Sequence, residues 1–336
     1  IGMFVSYFIL IPYFSAGQLD GSALSDVVGT VFSSQVRYIG AGVMAVAAIW
    51  TLVKIISPIV KGIRDAMRSS HTRHEGGEVP QTERDIPITV VALVIVLSMI
   101  PVGGLLWLFT NGTEIAHNTA MLIAVSVIFT LLAGLLVAAV CGYMAGLIGS
   151  SNSPVSGVGI LVVVLTALAI VAVHGHGSSA AETTALIAYT LFTAAIVFCI
   201  ATISNDNLQD LKTGQLVNAT PWKQQVALVI GVVFGALIIP PVLNLMQNAF
   251  QGAPNAGADA LAAPQASLIS SLAKGVIGGT QDWNLLGLGA IIGVAVIIID
   301  EVLNLTTKRR FALPPLAVGM GMYLPASLTI LIPLGG

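Results

Sequence analysis

Long apolar runs separated by short polar segments dominate the 336-residue chain. A run of roughly 20 apolar residues can cross the hydrocarbon core of a bilayer as a helix. Membrane β-strands would instead show segments of about ten residues with alternating polarity, whereas these runs are apolar on every face. The pattern therefore predicts nine spans, at 1–16, 38–60, 87–109, 120–148, 157–174, 181–203, 224–246, 284–303 and 314–333.

The composition agrees with a chain that lies mostly in lipid. Hydrophobic residues make up 56% of the sequence and charged residues only 8%, whereas a soluble domain carries about 25% charged residues. We therefore predict an all-α, polytopic membrane protein whose main partner is the lipid bilayer. The net charge of −2 argues against a nucleic acid as a further partner.

The distribution of basic residues supports both the number of spans and their orientation, because cytoplasmic segments are enriched in Lys and Arg. If the hydrophilic loop 61–85 is cytoplasmic, strict alternation places on that side all of the 13 Lys and Arg residues except Arg37 and Lys274. We expect a multi-pass protein of the cell membrane whose cytoplasmic loops are 61–85, 204–223 and 304–313.

The predicted organisation follows from these boundaries. It comprises transmembrane helices at 1–60, the loop at 61–85, and a helix bundle at 86–336 with polar loops at 149–156, 204–223 and 247–283. Within the last of these loops, the run QASLISSLAKGVI predicts a short interfacial or re-entrant helix. Because the chain begins within one apolar run and ends just after another, we expect it to be an internal stretch of a longer protein.

The segment GLIGSSNSPVSGVGI at 146–160 interrupts two apolar runs. Pro154 removes a backbone donor and disfavours helical geometry at Ser153. Transporters use such breaks because free backbone groups, together with Ser and Asn side chains, can hold a substrate. From spacing alone, a short cytoplasmic loop explains the segment equally well.

Two acidic residues end an otherwise apolar run. Ionisable groups within membrane helices often mark ion or proton pathways, so Asp300 and Glu301 are candidates for proton coupling. The alternative is a position at the membrane interface, close to the basic residues at 308–310. His174 and His176 could form a metal or pH-sensing pair, but two histidines without a third ligand are usually an interfacial turn. We therefore predict no metal site and no cofactor.

The hydrophilic segment 203–225 contains amides, acids and a lysine, and its composition favours a plain cytoplasmic loop. Asp206 and Asp210 could share a cation at this spacing, although loop acids more often face water. No P-loop and none of the usual hydrolase signatures occur, so we expect no enzyme and an energy source other than ATP hydrolysis by this chain.

Four segments together resemble the oligopeptide transporter family, bacterial members above all. They are NDNLQDLKTGQLVNATPWKQQ, which is similar to the family's D-L-K-T-G…P-x-x-Q segment, GLIGSSNSPVSGVGI, AAPQASLISSLAKGVIGG and PPLAVGMGMYLPASLTILIPLGG. The resemblance covers most of residues 140–336.

The resemblance implies a proton-coupled secondary transporter that imports short peptides or metal chelates by alternating access, through broken helices at 149–157, 275–283 and 323–325 that face a shared cavity. It implies substrate-binding residues Ser150, Ser151, Asn152, Ser153, Pro154 and Tyr323. It also implies a gating segment with Asn205, Asp206, Asp210, Lys212 and Gly214. An unrelated ion-coupled carrier or exporter, a channel and an intramembrane enzyme using Ser151 or His174 are the alternatives, and the sequence leaves open whether a homodimer forms.

Overall fold

The computed structural model describes residues 1–16, 24–51, 53–54, 80–150, 155–249, 264–279, 282–307 and 310–330. Throughout these ranges the regular structure is helical and no strand is present. Seven helices in this part of the chain are long and apolar enough to cross a membrane. The predicted all-α, polytopic membrane fold is therefore confirmed.

The helices are numbered here in chain order. They are α1 (Gly2–Ser15), α2 (Leu24–Thr51), α3 (Ile88–Thr110), α4 (Thr119–Ile148), α5 (Val155–His174), α6 (Ala180–Leu216), α7 (Pro221–Ala249), α8 (Pro264–Ile277), α9 (Trp283–Thr306), α10 (Pro315–Tyr323) and α11 (Ala326–Thr329). Short 3₁₀ turns at Gln81–Glu83 and Glu114–Asn118 precede α3 and α4.

Two of the nine predicted spans differ from the rest. The first is the short apolar helix α1, and the last is divided into α10 and α11 by extended backbone at Leu324 and Pro325. The break predicted at 323–325 is thus present. Residues 38–51 of the span predicted at 38–60 belong to α2, and residues 55–60 of it lie outside the described residues. Helix α2 begins well before residue 38 because Val27 and Val31 bury one face in the core, although polar residues interrupt the other face.

The segment 204–216, predicted to be loop, is helical. Helix α6 continues without interruption to Leu216, and only residues 217–220 separate it from α7. The extension is stabilised by packing against α4: the Ser204 hydroxyl donates to the Ala138 carbonyl at 2.7 Å, and a Cβ added to Gly142 would approach Leu208. The polar composition of this segment therefore belongs to the end of a long helix and not to a loop.

One compact unit comprises Ile1–Lys54, Ser156–Val164 and Gly279–Gly336. Its core is a cluster of buried aliphatic and aromatic side chains from α1, α2, α9 and α10. Helices α2 and α9 approach very closely, because a Cβ at Gly289 would overlap the Ile39 carbonyl oxygen and one at Gly42 would overlap the Leu286 carbonyl oxygen. Small residues allow such backbone contacts between membrane helices.

The second compact unit comprises Ile55–Val155 and Leu165–Gly278. Helices α4 and α6 pack against each other along much of their length, and Thr193 on α6 donates to Ser126 on α4 at 3.4 Å. A second core cluster joins α3, α5, α6 and α8, with Tyr189 and Ile277 fully buried in it. Helix α8 thereby packs against the protein through its buried C-terminal residues.

Candidate functional site

The break between α4 and α5 is built around Gly149 and Ser150. Helix α4 ends at Gly149, whose φ of +88° is a left-handed conformation that favours glycine. The next residue is held by α6 through two hydrogen bonds: the Ser150 N–H donates to Gln209 Oε1 at 3.1 Å, and Asn205 Nδ2 donates to the Ser150 carbonyl at 3.3 Å. The structure thus connects the predicted substrate-binding and gating segments. Ser151, Asn152, Ser153 and Pro154 lie outside the described residues.

Asn205 is the most buried of the predicted gating residues. It is 7% exposed, and its Oδ1 accepts no hydrogen bond from any residue of the described ranges. A buried amide oxygen requires a donor because desolvation without one is costly. Asn205 therefore carries acceptor capacity beside the α4–α5 break.

The remaining gating residues lie along the last turns of α6. Asp206, Asp210 and Gly214 line a mostly apolar groove of about 930 Å³ between α6 and α7. A Cβ at Gly214 would overlap the side-chain amide of Gln224, so glycine permits this approach of the two helices. Lys212 is exposed and donates to Gln215 Oε1 at 3.0 Å. Asp206, Asp210 and Gly214 therefore lie on one side of α6, whereas Lys212 contacts a neighbouring residue of the same helix.

The adjacent acids on α9 have different surroundings. Asp300 is 8% exposed, and its Oδ1 accepts the Leu313 N–H at 2.7 Å in the segment leading to α10. Glu301 forms an ion pair with Lys54, both side chains being partly exposed, and the Lys54 ammonium also lies 5.3 Å from the centre of the Trp50 ring. Asp300 thus holds the segment before α10 through a backbone hydrogen bond, whereas Glu301 forms an ion pair with Lys54.

Tyr323 lies directly before the break between α10 and α11 and is 2% exposed. Arg37 Nη2 donates to its hydroxyl at 2.8 Å, and the guanidinium carbon lies 4.9 Å from the ring centre. On the other side of the break, the Ala326 N–H donates to the Tyr7 hydroxyl at 3.0 Å. The break is therefore surrounded by two tyrosine hydroxyls and a guanidinium.

Two π-helical turns lie beside this group. One covers Val5–Leu10 in α1 and includes Tyr7, and the other covers Phe32–Val36 in α2 and ends just before Arg37. The rings of Tyr7 and Phe32 stack with their centres 5.7 Å apart. Such π-turns occur frequently at functional sites because they rotate the following side chains relative to a regular helix.

Arg37 is not among the site residues predicted from the sequence. The predicted span started at residue 38, which placed Arg37 in a loop, whereas the observed helix extends from Leu24 to Thr51 and holds Arg37 near its middle. An ionisable residue within a membrane helix is by default a functional candidate. The available signal was the apolar pattern at Val27, Val31 and Val36, which continues the helix towards its N-terminus.

The family model described as OPT oligopeptide transporter protein matches residues 1–336. The chain belongs to the OPT family. The fold and the helix breaks described above are therefore those of a chain of this family, and the names of the family and of the Haemophilus relative describe transporters and not enzymes.

Two curated proteins illustrate the range of the OPT family. The "Putative oligopeptide transporter" of Haemophilus influenzae is 40% identical over 348 residues, an alignment that covers 98% of this chain and 54% of that protein. The "Probable metal-nicotianamine transporter YSL13" of Oryza sativa subsp. japonica is 32% identical over 137 residues, covering 40% of this chain and 19% of that protein. The chain thus spans about half the length of its Haemophilus relative. No solved structure matches the chain described here.

Proposed function

We propose that this OPT chain is part of a proton-coupled secondary transporter that imports short peptides into the cell. The observation that carries the substrate class is the 40% identity, over 98% of the chain, to a protein named an oligopeptide transporter. The alignment leaves out only about 2% of the chain.

Carboxylate groups of the substrate are the proposed point of recognition. A short peptide carries a C-terminal carboxylate, which a guanidinium binds through charge-assisted, often bidentate hydrogen bonds. Arg37 has its Nη2 on a tyrosine hydroxyl, which is a neutral acceptor that an anionic oxygen can replace. We infer that the substrate carboxylate competes with Tyr323 for Arg37. Residues 150–154 belong to the other unit and are proposed separately, from the family resemblance, as a source of backbone and Ser/Asn groups that contact substrate.

Glu301 is the proposed coupling residue. A proton and the Lys54 ammonium compete for the same carboxylate, so protonation of Glu301 would release Lys54 from α9. Asp300 is the weaker candidate, because its carboxylate already accepts a backbone N–H that a proton on the same oxygen would displace. Proton uptake then replaces the Lys54–Glu301 ion pair of the first unit with a neutral Glu301 carboxylic acid.

In the proposed orientation, the segments 61–85, 204–223 and 304–313 lie on the cytoplasmic side of the cell membrane. A contact between two of these segments supports a common side: the Trp222 N–H donates to the Arg84 carbonyl at 3.3 Å, and Gln81 donates to the Thr220 hydroxyl at 3.2 Å. The start of α7 and the segment before α3 therefore belong to one membrane face.

Import of a metal chelate is the second candidate. The 137-residue similarity to a protein named as a metal-nicotianamine transporter favours it. Such chelators also carry carboxylates, so Arg37 would serve either cargo. The two candidates differ in cargo and share the same helices.

Uptake by the purified protein in proteoliposomes distinguishes them. A labelled tetrapeptide and iron–nicotianamine are supplied separately under an inward proton gradient, with an uncoupler in a parallel sample. Saturable tetrapeptide uptake that the uncoupler abolishes is the expected result, and chelate uptake alone would support the second candidate. Flux of both compounds that ignores the proton gradient would contradict the coupling proposal.

A further inference from the structure

Three side chains from three helix ends meet where α5 ends and α4 and α6 begin. His117 lies in the 3₁₀ turn before α4, His174 is the last residue of α5, and Glu182 is in the first turn of α6. One ligand atom from each lies within 4.8 Å of the other two. The side chains of His174 and Glu182 are 2% and 10% exposed, whereas His117 is exposed.

The two carboxylate oxygens of Glu182 have different partners. Oε2 accepts the N–H and the hydroxyl of Ser178 at 2.6 and 2.5 Å, which fixes the start of α6. Oε1 lies 3.1 Å from His174 Nε2. The oxygen that points at the histidines is therefore not needed for capping the helix, and it is available to a cation.

His117 is arranged as metal-binding histidines are. Its Nδ1 lies 3.0 Å from the Glu114 carbonyl oxygen, so Nδ1 carries the proton and Nε2 presents a lone pair. A ligating histidine characteristically donates its other ring N–H to a backbone carbonyl or carboxylate, which fixes the tautomer and orients the ring. The His117 and His174 rings are 5.0 Å apart between centres.

His174 has a similar outer partner in Asn118, whose Nδ2 lies 3.3 Å from His174 Nδ1. When a cation takes Nε2, the ring proton resides on Nδ1, and a half-turn of the Asn118 amide presents its oxygen as the acceptor. His176, by contrast, points away and pairs through Nδ1 with the Ile277 carbonyl at 2.8 Å. The two histidines of the His-Gly-His sequence therefore have separate roles.

We propose that His117, His174 and Glu182 bind a divalent first-row transition-metal ion, with Zn²⁺ the best match. Two imidazole nitrogens and one carboxylate oxygen form a ligand set that suits Zn²⁺, and water fills the fourth tetrahedral position. Ligand atoms around tetrahedral zinc lie roughly 3.3 Å apart, given bonds of about 2.0–2.1 Å. Closing the site requires a movement of His117, whose exposed side chain is free to make it.

The site goes beyond the proposed transport and does not depend on its cargo. It connects the beginnings of α4 and α6 with the end of α5, all within one unit. A bound ion would crosslink these three helix ends. Its expected effect is on the stability and rigidity of this end of the bundle, which can be measured whether or not the protein transports peptides.

Zn²⁺ titration of the EDTA-treated protein in nanodiscs tests the proposal, with Co²⁺ as a spectroscopic substitute. We expect one tight Zn²⁺ per chain, a visible absorption band of four- or five-coordinate Co²⁺, and an increased Tm with Zn²⁺. His117→Ala should weaken Zn²⁺ binding by at least about tenfold, since even outer partners of a ligand contribute 10–100-fold. This variant alters an exposed side chain, so folding is retained.

Two controls address the other histidines, of which the chain has five in total. His176→Ala removes a histidine beside the site but outside the cluster, and His71→Ala/His74→Ala removes the pair in the loop 61–85. Both should keep the Zn²⁺ affinity and the Co²⁺ spectrum of the unaltered protein. Equal Zn²⁺ affinity in His117→Ala, loss of binding in either control, or no tight Zn²⁺ in the unaltered protein would overturn the assignment.

Discussion

Arg37 donates a hydrogen bond from Nη2 to the hydroxyl of Tyr323 at 2.8 Å, and its guanidinium lies 4.9 Å from the centre of the same ring. The hydrogen bond and the cation–π contact hold a charged group beside a helix break. A cation in this position costs free energy unless its partners compensate it, and such residues in membrane proteins are commonly functional.

Arg37→Lys should reduce peptide uptake while retaining the charge, because an ammonium lacks the planar fork that binds a carboxylate at two points. Loss of a hydrogen bond to a charged group costs about 1.5–3 kcal/mol, which corresponds to an increase in KM of roughly tenfold or more. The KM is obtained from initial rates of tetrapeptide uptake at increasing tetrapeptide concentration. A KM equal to that of the unaltered protein would remove Arg37 from the binding site.

Tyr323→Phe separates the two contacts of Arg37. It removes the hydroxyl acceptor and keeps the ring, so the cation–π contact remains. We expect binding of the anionic substrate to be retained or strengthened, because the substrate no longer has to displace the Tyr323 hydroxyl from Arg37. Tyr13→Phe is the matched control, since Tyr13 is 74% exposed on α1. Uptake with a KM raised severalfold in Tyr323→Phe would instead mean that the hydroxyl itself contacts the substrate.

Glu301→Gln should abolish proton-driven accumulation and leave peptide exchange across the membrane intact, because exchange needs no net proton movement. The measurements are uptake with a proton gradient and counterflow without one. Asp300→Asn/Glu301→Gln should behave in the same way. Unchanged pH-driven uptake after both acids are neutralised would refute the coupling role. Loss of counterflow in Glu301→Gln would point to a structural defect, which the melting curve would reveal.

Asn152→Ala should lower uptake in a protein that still folds in the membrane, because we propose that the segment 150–154 contacts substrate. The structure adds a companion variant: Gln209→Ala removes the acceptor of the Ser150 N–H. Hydrogen exchange at Ser150 should then become faster by roughly fivefold for a loss of about 1 kcal/mol. Gln215→Ala, on the exposed end of the same helix, is the control and should leave this exchange unchanged.

Gly289→Ala should destabilise the first unit by about 1–3 kcal/mol, the usual cost of overpacking, because the new Cβ would overlap the Ile39 backbone. Gly287→Ala is a close control two residues away on α9, where an added Cβ meets nothing within 4 Å. This control should be neutral or stabilising by up to about 1 kcal/mol, since alanine favours the helix over glycine. Thermal unfolding in detergent compares the two, and similar Tm values would contradict the close α2–α9 contact.

The apolar pattern was sufficient to predict the long helices, because a span must be continuously apolar to be soluble in lipid. It failed where packing within the protein replaces lipid: α2 begins in a polar region, and α6 continues through Asn205 and Asp210. The break at Leu324–Pro325 was foreseeable from the proline and the family resemblance. The pairing of Arg37 with Tyr323 was not, since 286 residues separate them.

The histidine cluster shows the same limit of sequence reasoning. His174 and His176 are neighbours in sequence, yet the structure pairs His174 with His117 and Glu182 and sends His176 to the Ile277 carbonyl. Which ring nitrogens meet depends on how three helix ends converge, and spacing along the chain carries no such information.

Helix α6 has 37 residues, a length of about 55 Å at 1.5 Å per residue. The hydrocarbon core is only about 30 Å thick, and even a tilt of about 40° would leave both ends of the helix outside it. Glu182 lies in the first turn of this uninterrupted helix, and Lys212 lies near its other end. Holding one end fixed therefore limits how far the other can swing, and a spectroscopic label on Lys212 would register an ion captured at the far end of the bilayer.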